Sequence, residues 1–170
     1  MIRSMTIAAA ALLAAPVLAD GHAPTGDAEA GEEQFGRQCV ACHVVRDDDG
    51  EVLAGRNART GPNLHGLAGR QIASLEDFRY SDALIELGEE DRVWTEEAFV
   101  AYVQDPTGWL REELDNNRAR GKMAYRVRSE EDALDLYAFL ATFDPVEMED
   151  GDDMDDMDDG DEAESETETD

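Results

Sequence analysis

Apolar residues recur along the chain at three- and four-residue spacing, which predicts short amphipathic helices. A first helix is expected to begin at Asp27, whose side chain can cap it, and to run toward Cys39. Ala28, Gly31 and Phe35 fall on one face of that helix. Gly31 there fits either a close approach by another helix or a tolerated glycine costing about 1 kcal/mol. Spacing alone leaves both interpretations open.

Two more helices are predicted from capping residues in the second half of the chain. Ser81 can open a short helix that ends near Leu87, and Thr95 can open another that ends near Val103. Pro106 cannot continue a helix, so the second of them should stop before it.

The last helix is the best marked. Ser129 can cap it, three acidic residues follow in its first turn, and it should reach about Thr142. One brief turn is predicted before it, over Trp109–Leu114. The apolar face of the last helix is formed by Ala133, Leu136, Tyr137 and Leu140, with Phe139 at its edge.

Between the first two helices the periodicity disappears. The stretch from Val44 to Ser74 is rich in Gly, Pro, Asn, Asp and Arg, and a loop this long inside a domain is expected where the chain wraps a prosthetic group. No stretch shows the alternation typical of strands. The predicted body is therefore all-α, with short helices and long loops.

The two ends differ in composition from the middle. Residues 1–19 resemble a cleavable signal peptide, with an apolar run too short to span a bilayer; an uncleaved anchor is the less favoured alternative. We expect a flexible leader over 20–26 and a folded domain over 27–143. Residues 144–170 hold sixteen acidic and no basic residues, which predicts a disordered tail. Metal scavenging by the tail is a weaker alternative.

Charge narrows the choice of partners. The chain has 42 acidic and 14 basic residues and a formal net charge of -28. The domain is acidic even without the tail. Such a surface argues against nucleic acid or anionic lipid as partner.

The candidate chemistry lies in a C-x-x-C-H motif formed by Cys39, Cys42 and His43, which holds the only two cysteines of the chain. This spacing suits covalent haem attachment through two thioethers, with the imidazole binding iron. A disulfide across so short a loop is uncommon, zinc would need more ligands than the remote His22 and His65 offer, and a thioredoxin-like pair expects a βαβ context. Export also favours haem, because c-type haem is attached outside the cytoplasm in bacteria.

A second iron ligand would close the site. Of the six methionines, Met123 is the one inside the predicted domain. Methionine with histidine is the usual pair in a soluble electron carrier. His65 is the rival candidate, and an open iron site would need neither residue.

Taken together, these motifs resemble class I cytochrome c, in the cytochrome c2 and cytochrome c550 group of proteobacteria. The resemblance covers residues from about Asp27 to Phe143. The matching motifs are Gly31 and Phe35, Cys39 to His43, Thr60 to Arg70, Tyr80 to Ala83, Trp94 to Glu97, Lys122 to Tyr125, and Asp135 to Leu140.

The resemblance implies one haem c attached through Cys39 and Cys42, with His43 and Met123 as axial iron ligands. The carbonyl group of Pro62 would accept the other imidazole N–H and fix the ring. His65 falls on a position that does not bind iron in the family.

Further roles follow from the same resemblance. Arg70, Tyr80 and Trp94 match residues that bond or neutralise haem propionates, and Tyr102 matches the tyrosine beside the methionine sulfur. The first and last helices would cross, with Gly31 and Phe35 against Leu136 and Phe139, which favours the packing interpretation of Gly31.

Basic residues cluster around Met123, and in this family that loop borders the exposed haem edge. A small positive front on a negative body could steer docking onto an acidic patch. The alternative is local neutralisation of Glu112, Glu113 and Asp115. We define the basic cluster as Arg118, Arg120, Lys122, Arg126 and Arg128.

The resemblance implies a periplasmic, monomeric one-electron carrier rather than an enzyme, neither spanning a membrane nor binding nucleic acid. Its electrons would come from a cytochrome bc1-type complex and pass to an oxidase, a reductase or a photosynthetic reaction centre. The alternatives are a haem enzyme or gas sensor with an open iron site, and a metal-binding or adhesion module driven by the tail. Two features depart from the family: the stretch from Pro106 to Met123 is longer than in mitochondrial relatives, and the usual ring of lysines is nearly missing.

Overall fold

The computed structural model describes residues 23–143. The predicted signal peptide, the first residues of the predicted leader and the acidic tail lie outside this range. Residues 25 and 26 already make specific contacts: the backbone N–H of Thr25 donates to Glu96 Oε1 at 2.7 Å, and Gly26 lies against the backbone of Leu134. The folded part therefore begins slightly before Asp27.

The described part of the chain is mostly helical. Its helices are α1 (Ala28–Gln38), α2 (Asp82–Glu89), α3 (Glu96–Gln104), α4 (Pro106–Glu113) and α5 (Glu130–Ala141). The predicted caps are confirmed for α1, α2, α3 and α5, where Asp27, Ser81, Thr95 and Ser129 accept backbone N–H groups of the first turn.

The prediction of a brief turn over Trp109–Leu114 was wrong about where that element begins. Helix α4 starts three residues earlier, at Pro106, because the ring of proline suits the first helical position and needs no hydrogen-bond partner there. Asp105 caps it by accepting the N–H of Gly108 at 3.1 Å. Pro106 thus ends α3, as predicted, and also begins α4.

The prediction that strands are absent was wrong. Strands β1 (Val44–Arg46) and β2 (Val52–Gly55) pair antiparallel as a small hairpin, with an irregularity between Val45 and Arg46. Three or four residues are too few to show an alternating pattern, and Val44 and Val45 are both buried, so no alternation exists in β1. Beyond the hairpin, the stretch up to Ser74 forms no further strand or helix.

Helices α1 and α5 cross at close range, as the family resemblance implied. A Cβ on Gly31 would overlap the Asp135 carbonyl group and the Phe139 side chain, so only glycine allows this approach. The rings of Phe35 and Phe139 lie 5.5 Å apart, and Asp27 donates its backbone N–H to Asp135 Oδ1 at 2.8 Å. Gly31 is therefore a packing residue.

The core is formed by buried residues of all five helices and of the loop over 64–72, with α5 packed against α1 and α3, and it encloses a cavity. Among residues 23–143 no helix is both long and apolar enough to cross a membrane.

Candidate haem-binding site

A mainly apolar cavity of about 490 Å³ opens in the centre of the described fold. Leu64, Leu67, Phe99, Leu136 and Leu140 form much of its wall and belong to the hydrophobic core. Every residue that the sequence predicted for the cofactor and its iron lines this one cavity. These residues are Cys39, Cys42, His43, Pro62, Arg70, Tyr80, Trp94, Tyr102 and Met123.

The C-x-x-C-H motif reaches the cavity through a tight turn at the end of α1. The backbone N–H groups of Cys42 and His43 both donate to the Cys39 carbonyl group, at 3.0 and 2.9 Å. This turn keeps the two side chains of the cysteines and the imidazole on the cavity side. Both thiols are free, so the disulfide considered from the sequence is not formed.

The Cys39 thiol is partly buried. Burial raises the pKa of Cys39 to about 12, and the neighbouring Cys42 adds to the shift. Before a haem is attached, the group would therefore be a neutral thiol at neutral pH.

The imidazole of His43 is fixed from two sides. Its Nδ1 lies 3.0 Å from the Pro62 carbonyl oxygen, which can only accept, so Nδ1 carries the proton and Nε2 keeps a free lone pair. A Cβ on Gly61 would overlap the ring, so the imidazole packs directly on the glycine backbone. Burial lowers the pKa of His43, with the Pro62 hydrogen bond acting in the opposite direction. The ring is thus neutral and oriented, as a metal ligand must be.

Met123 lines the same cavity and is partly buried against the core. It is a soft thioether donor of the kind that haem iron accepts. His65, the rival candidate, does not line the cavity; its backbone carbonyl group accepts a hydrogen bond from Arg70 Nη1 at 2.6 Å. Within residues 23–143 no group of three or more His, Cys, Asp or Glu side chains is placed to hold a metal ion.

The polar residues predicted for the pocket are held by neighbouring groups. Arg70 also donates through Nη2 to the Asn63 carbonyl group at 3.1 Å, and burial lowers the pKa of Arg70. Burial raises the pKa of Tyr80, while the nearby Arg70 opposes that shift. A guanidinium and a neutral phenol in a poorly solvated wall can stabilise a carboxylate that would otherwise be costly to bury.

Two aromatic residues of the site belong to a ring cluster. The Trp94 ring lies 5.1 Å from the Tyr102 ring and 6.0 Å from the Trp109 ring, and Tyr102 lies 5.6 Å from Trp109. Burial raises the pKa of Tyr102 to about 12, with Tyr80 adding to the shift. This wall is therefore aromatic and, at neutral pH, uncharged.

The basic cluster lies on exposed positions beside the cavity. Arg126 forms an ion pair with Asp105 at 2.7 Å, and Lys122 Nζ donates to the carbonyl groups of residues 79 and 80 at 2.6 and 2.7 Å. The side chains of Arg118 and Arg128 have no hydrogen-bond or ion-pair partner among residues 23–143. The cluster forms no ion pair there with the acidic residues around 112–115 named in the alternative; Glu113 pairs with Arg92 instead.

The sequence analysis assigned no role to three residues near the site. Arg79 lines an open cleft of about 660 Å³ together with Arg118, Arg120 and Lys122. This cleft adjoins the central cavity, because Tyr80, Ser81 and Lys122 line both. Gln38 and Tyr125 line the cavity itself, and a hydrogen bond connects their side chains. Only proximity to known motifs could have marked them: Gln38 directly precedes Cys39, and Tyr125 follows Met123 by two positions.

No family model matches the chain. Among curated proteins, cytochrome c2 of Rhodovulum adriaticum is 57% identical over 118 residues, covering 69% of this chain and 93% of the relative. Cytochrome c-550 of Paracoccus versutus is 41% identical over 144 residues, covering 83% of this chain and 91% of the relative. The crystal structure of cytochrome c2 from Rhodobacter sphaeroides superimposes with a TM-score of 0.67 at 44% identity, covering 69% of this chain and 96% of that one.

Proposed function

The chain belongs to the class I cytochromes c, in the cytochrome c2 and c-550 group, and we propose that it is a periplasmic one-electron carrier. Proteins of this group hold one covalently bound haem c, whose iron supplies the chemistry by cycling between Fe(II) and Fe(III). One observation carries the proposal: two thiols, an oriented neutral imidazole and a thioether all line one apolar cavity.

The chemistry of the cavity fits such a group. Its apolar wall suits a porphyrin face, and Cys39 and Cys42 lie at its edge with free thiols that can form two thioethers. Arg70, Tyr80 and Trp94 supply the polar contacts for haem propionates. An unpaired propionate in this wall would carry a desolvation cost, which the guanidinium offsets.

His43 and Met123 are the residues proposed to hold the haem iron. The Pro62 carbonyl group holds the proton of His43 on Nδ1 and leaves Nε2 as the metal-binding atom. Tyr102 is proposed to lie beside the sulfur of Met123, since both line the cavity. Because the chain would supply both iron ligands, the iron is proposed to bind no substrate, and the protein is proposed to be a carrier and not an enzyme.

The electron is proposed to leave through the side marked by the basic cluster. Within the described part of the chain, the side chains of Arg118 and Arg128 have no ion-pair partner. The open cleft lined by Arg79 and by three residues of the basic cluster lies next to the cavity. An acidic patch on a redox partner would be attracted to this side, whereas the acidic remainder of the surface would repel it. The proposed partners are a cytochrome bc1-type donor and an oxidase, reductase or reaction centre as acceptor.

Location follows from the ends of the chain. Residues 1–19 are proposed to be removed on export, leaving Asp20 as the first residue of a monomeric periplasmic protein. Intact mass of the protein recovered from the periplasm tests this cleavage, and a mass that includes residues 1–19 would contradict it.

The function is tested through the ligand at Met123. Methionine bound to ferric haem gives a charge-transfer band in the far red, which Met123→Ala should abolish while the haem stays covalently attached. The matched control is Met154→Ala in the acidic tail, which should keep the band. A wild-type ferric protein that is high-spin and takes up added ligands readily at neutral pH would contradict the carrier and favour an open-site haem protein.

A further inference from the structure

The segment that carries Met123 has little backbone support. Within residues 23–143, no backbone N–H group of residues 121–126 donates to a backbone carbonyl group. The next such bond is that of Val127, whose N–H donates to the Val103 carbonyl group at 2.9 Å. On one side the segment is tied by Lys122, through the carbonyl groups of residues 79 and 80. Side chains must therefore hold this segment in place.

A hydrogen bond between two side chains also ties the segment to a residue far away in the sequence. Tyr125 Oη donates to Gln38 Oε1 at 2.7 Å. Gln38 is the last residue of α1 and directly precedes Cys39, so this bond connects the methionine segment to the haem-attachment motif. Both residues line the cavity, although Tyr125 is 48% exposed to solvent.

The Gln38 amide is itself oriented by a chain of hydrogen bonds. Its Nε2 donates to Gln34 Oε1, and Gln34 Nε2 donates to Asp132 Oδ1 at 2.7 Å in the first turn of α5. With Nε2 engaged along α1, Oε1 is left to accept from Tyr125. The bond that reaches the methionine segment is thus anchored in α1 and α5, which approach each other closely at Gly31.

We propose that Tyr125 and Gln38 form a latch that keeps the methionine segment closed over the cavity and limits how often Met123 leaves the iron. The inference rests on the proposed function, in which Met123 is an iron ligand. Tyr125 and Gln38 are positioning residues, since they act through Met123. One neutral hydrogen bond of this kind changes an equilibrium by about three- to tenfold.

Imidazole competes with methionine for ferric iron, so the affinity of the ferric protein for imidazole measures how strongly the latch holds the segment closed. The apparent affinity for imidazole rises with the fraction of molecules whose segment is open. In the full-length haem-loaded protein, Tyr125→Phe and Gln38→Leu should each lower the apparent Kd by about three- to tenfold. The variant that carries both changes should behave like either single one, because one bond is lost in all three.

Gln71→Leu is the matched control. It removes a glutamine bond of 2.6 Å to the Gly88 carbonyl group, and Gln71 does not line the cavity, so the imidazole affinity should stay that of the wild type. Wild-type affinity in both Tyr125→Phe and Gln38→Leu would overturn the latch, as would additive effects in the double variant or an equal rise in Gln71→Leu.

The two proposals fail differently. If Met123→Ala kept the charge-transfer band, the ligand assignment would fall and the latch with it. If Met123→Ala lost the band but Tyr125→Phe and Gln38→Leu bound imidazole like the wild type, the carrier function would stand and the latch alone would be wrong.

Discussion

His43 Nδ1 lies 3.0 Å from the Pro62 carbonyl oxygen, and this hydrogen bond sets which nitrogen of the ring can bind metal. Pro62 belongs to a loop without regular structure that returns to the motif: the N–H of Gly61 donates to the Cys42 carbonyl group at 2.7 Å, and that of Leu64 to the Val44 carbonyl group at 2.9 Å. The loop therefore fixes the imidazole from one side, while the turn at the end of α1 holds the backbone of His43.

Adding a methyl group at Gly61 should disturb that position. The new Cβ of Gly61→Ala would overlap the His43 ring, so either the ring or the loop must shift. We expect the haem-loaded protein to lose about 1–3 kcal/mol of unfolding free energy, the usual cost of overpacking. Denaturant unfolding followed by haem absorbance checks this. An unchanged midpoint would show that the ring does not depend on the glycine.

The same substitution at two positions of α1 separates helix propensity from helix packing. Gly31→Ala should destabilise the protein by about 1–3 kcal/mol, because its Cβ meets the Asp135 carbonyl group. Gly36→Ala has open space around its Cβ and should stabilise the protein by about 0.5–1 kcal/mol, the ordinary gain of alanine over glycine in a helix. Thermal unfolding of both variants checks the prediction, and shifts of equal sign would contradict it.

The basic cluster should not act uniformly in partner association. Arg118→Gln combined with Arg128→Gln should slow the second-order rate of electron transfer to oxidase-containing membranes by about two- to tenfold at low salt, and less at high salt. Arg126→Gln should have a smaller effect, because Asp105 already neutralises that charge at 2.7 Å. Stopped-flow oxidation of the reduced protein measures these rates.

Arg37→Gln is the control for charge alone. Arg37 is exposed on α1 and paired with Glu33 at 3.4 Å, and Arg37→Gln removes one positive charge, as Arg126→Gln does, whereas the double cluster variant removes two. A loss of rate per charge removed that is equal in Arg37→Gln and in the double cluster variant would mean that overall charge, and not the basic cluster, steers association.

Removing the acidic tail tests whether it contributes to the fold. A chain that ends at Phe143 should keep the wild-type absorbance spectrum and unfolding free energy, since the Phe143 ring still lies 5.0 Å from the Phe139 ring and its carbonyl group still accepts the Gly66 N–H at 3.2 Å. A chain that ends at Thr142 should lose about 1–3 kcal/mol, in the range for losing a largely apolar aromatic contact. Equal loss in both chains would assign a structural role to the tail.

Elements with a local cause could be predicted from the sequence. Four helix caps were placed correctly because an Asp, Ser or Thr side chain bonds the N–H groups two or three residues later, within one turn. The β1–β2 hairpin was missed because strands of three and four residues carry no usable period. The start of α4 was missed because Pro106 was interpreted only as the end of the preceding helix.

The sequence by itself determined the composition of the site: the motif from Cys39 to His43 and the single methionine of the domain are chemical facts of the chain. Tertiary structure decided how the surrounding charges and hydrogen bonds are paired. The ion pair of Arg126 with Asp105 spans 21 positions and the bond of Tyr125 with Gln38 spans 87, and no local pattern encodes either. Such pairs depend on where separate elements meet when the chain buries its apolar faces, so only the folded chain shows which cations stay free and what holds Met123.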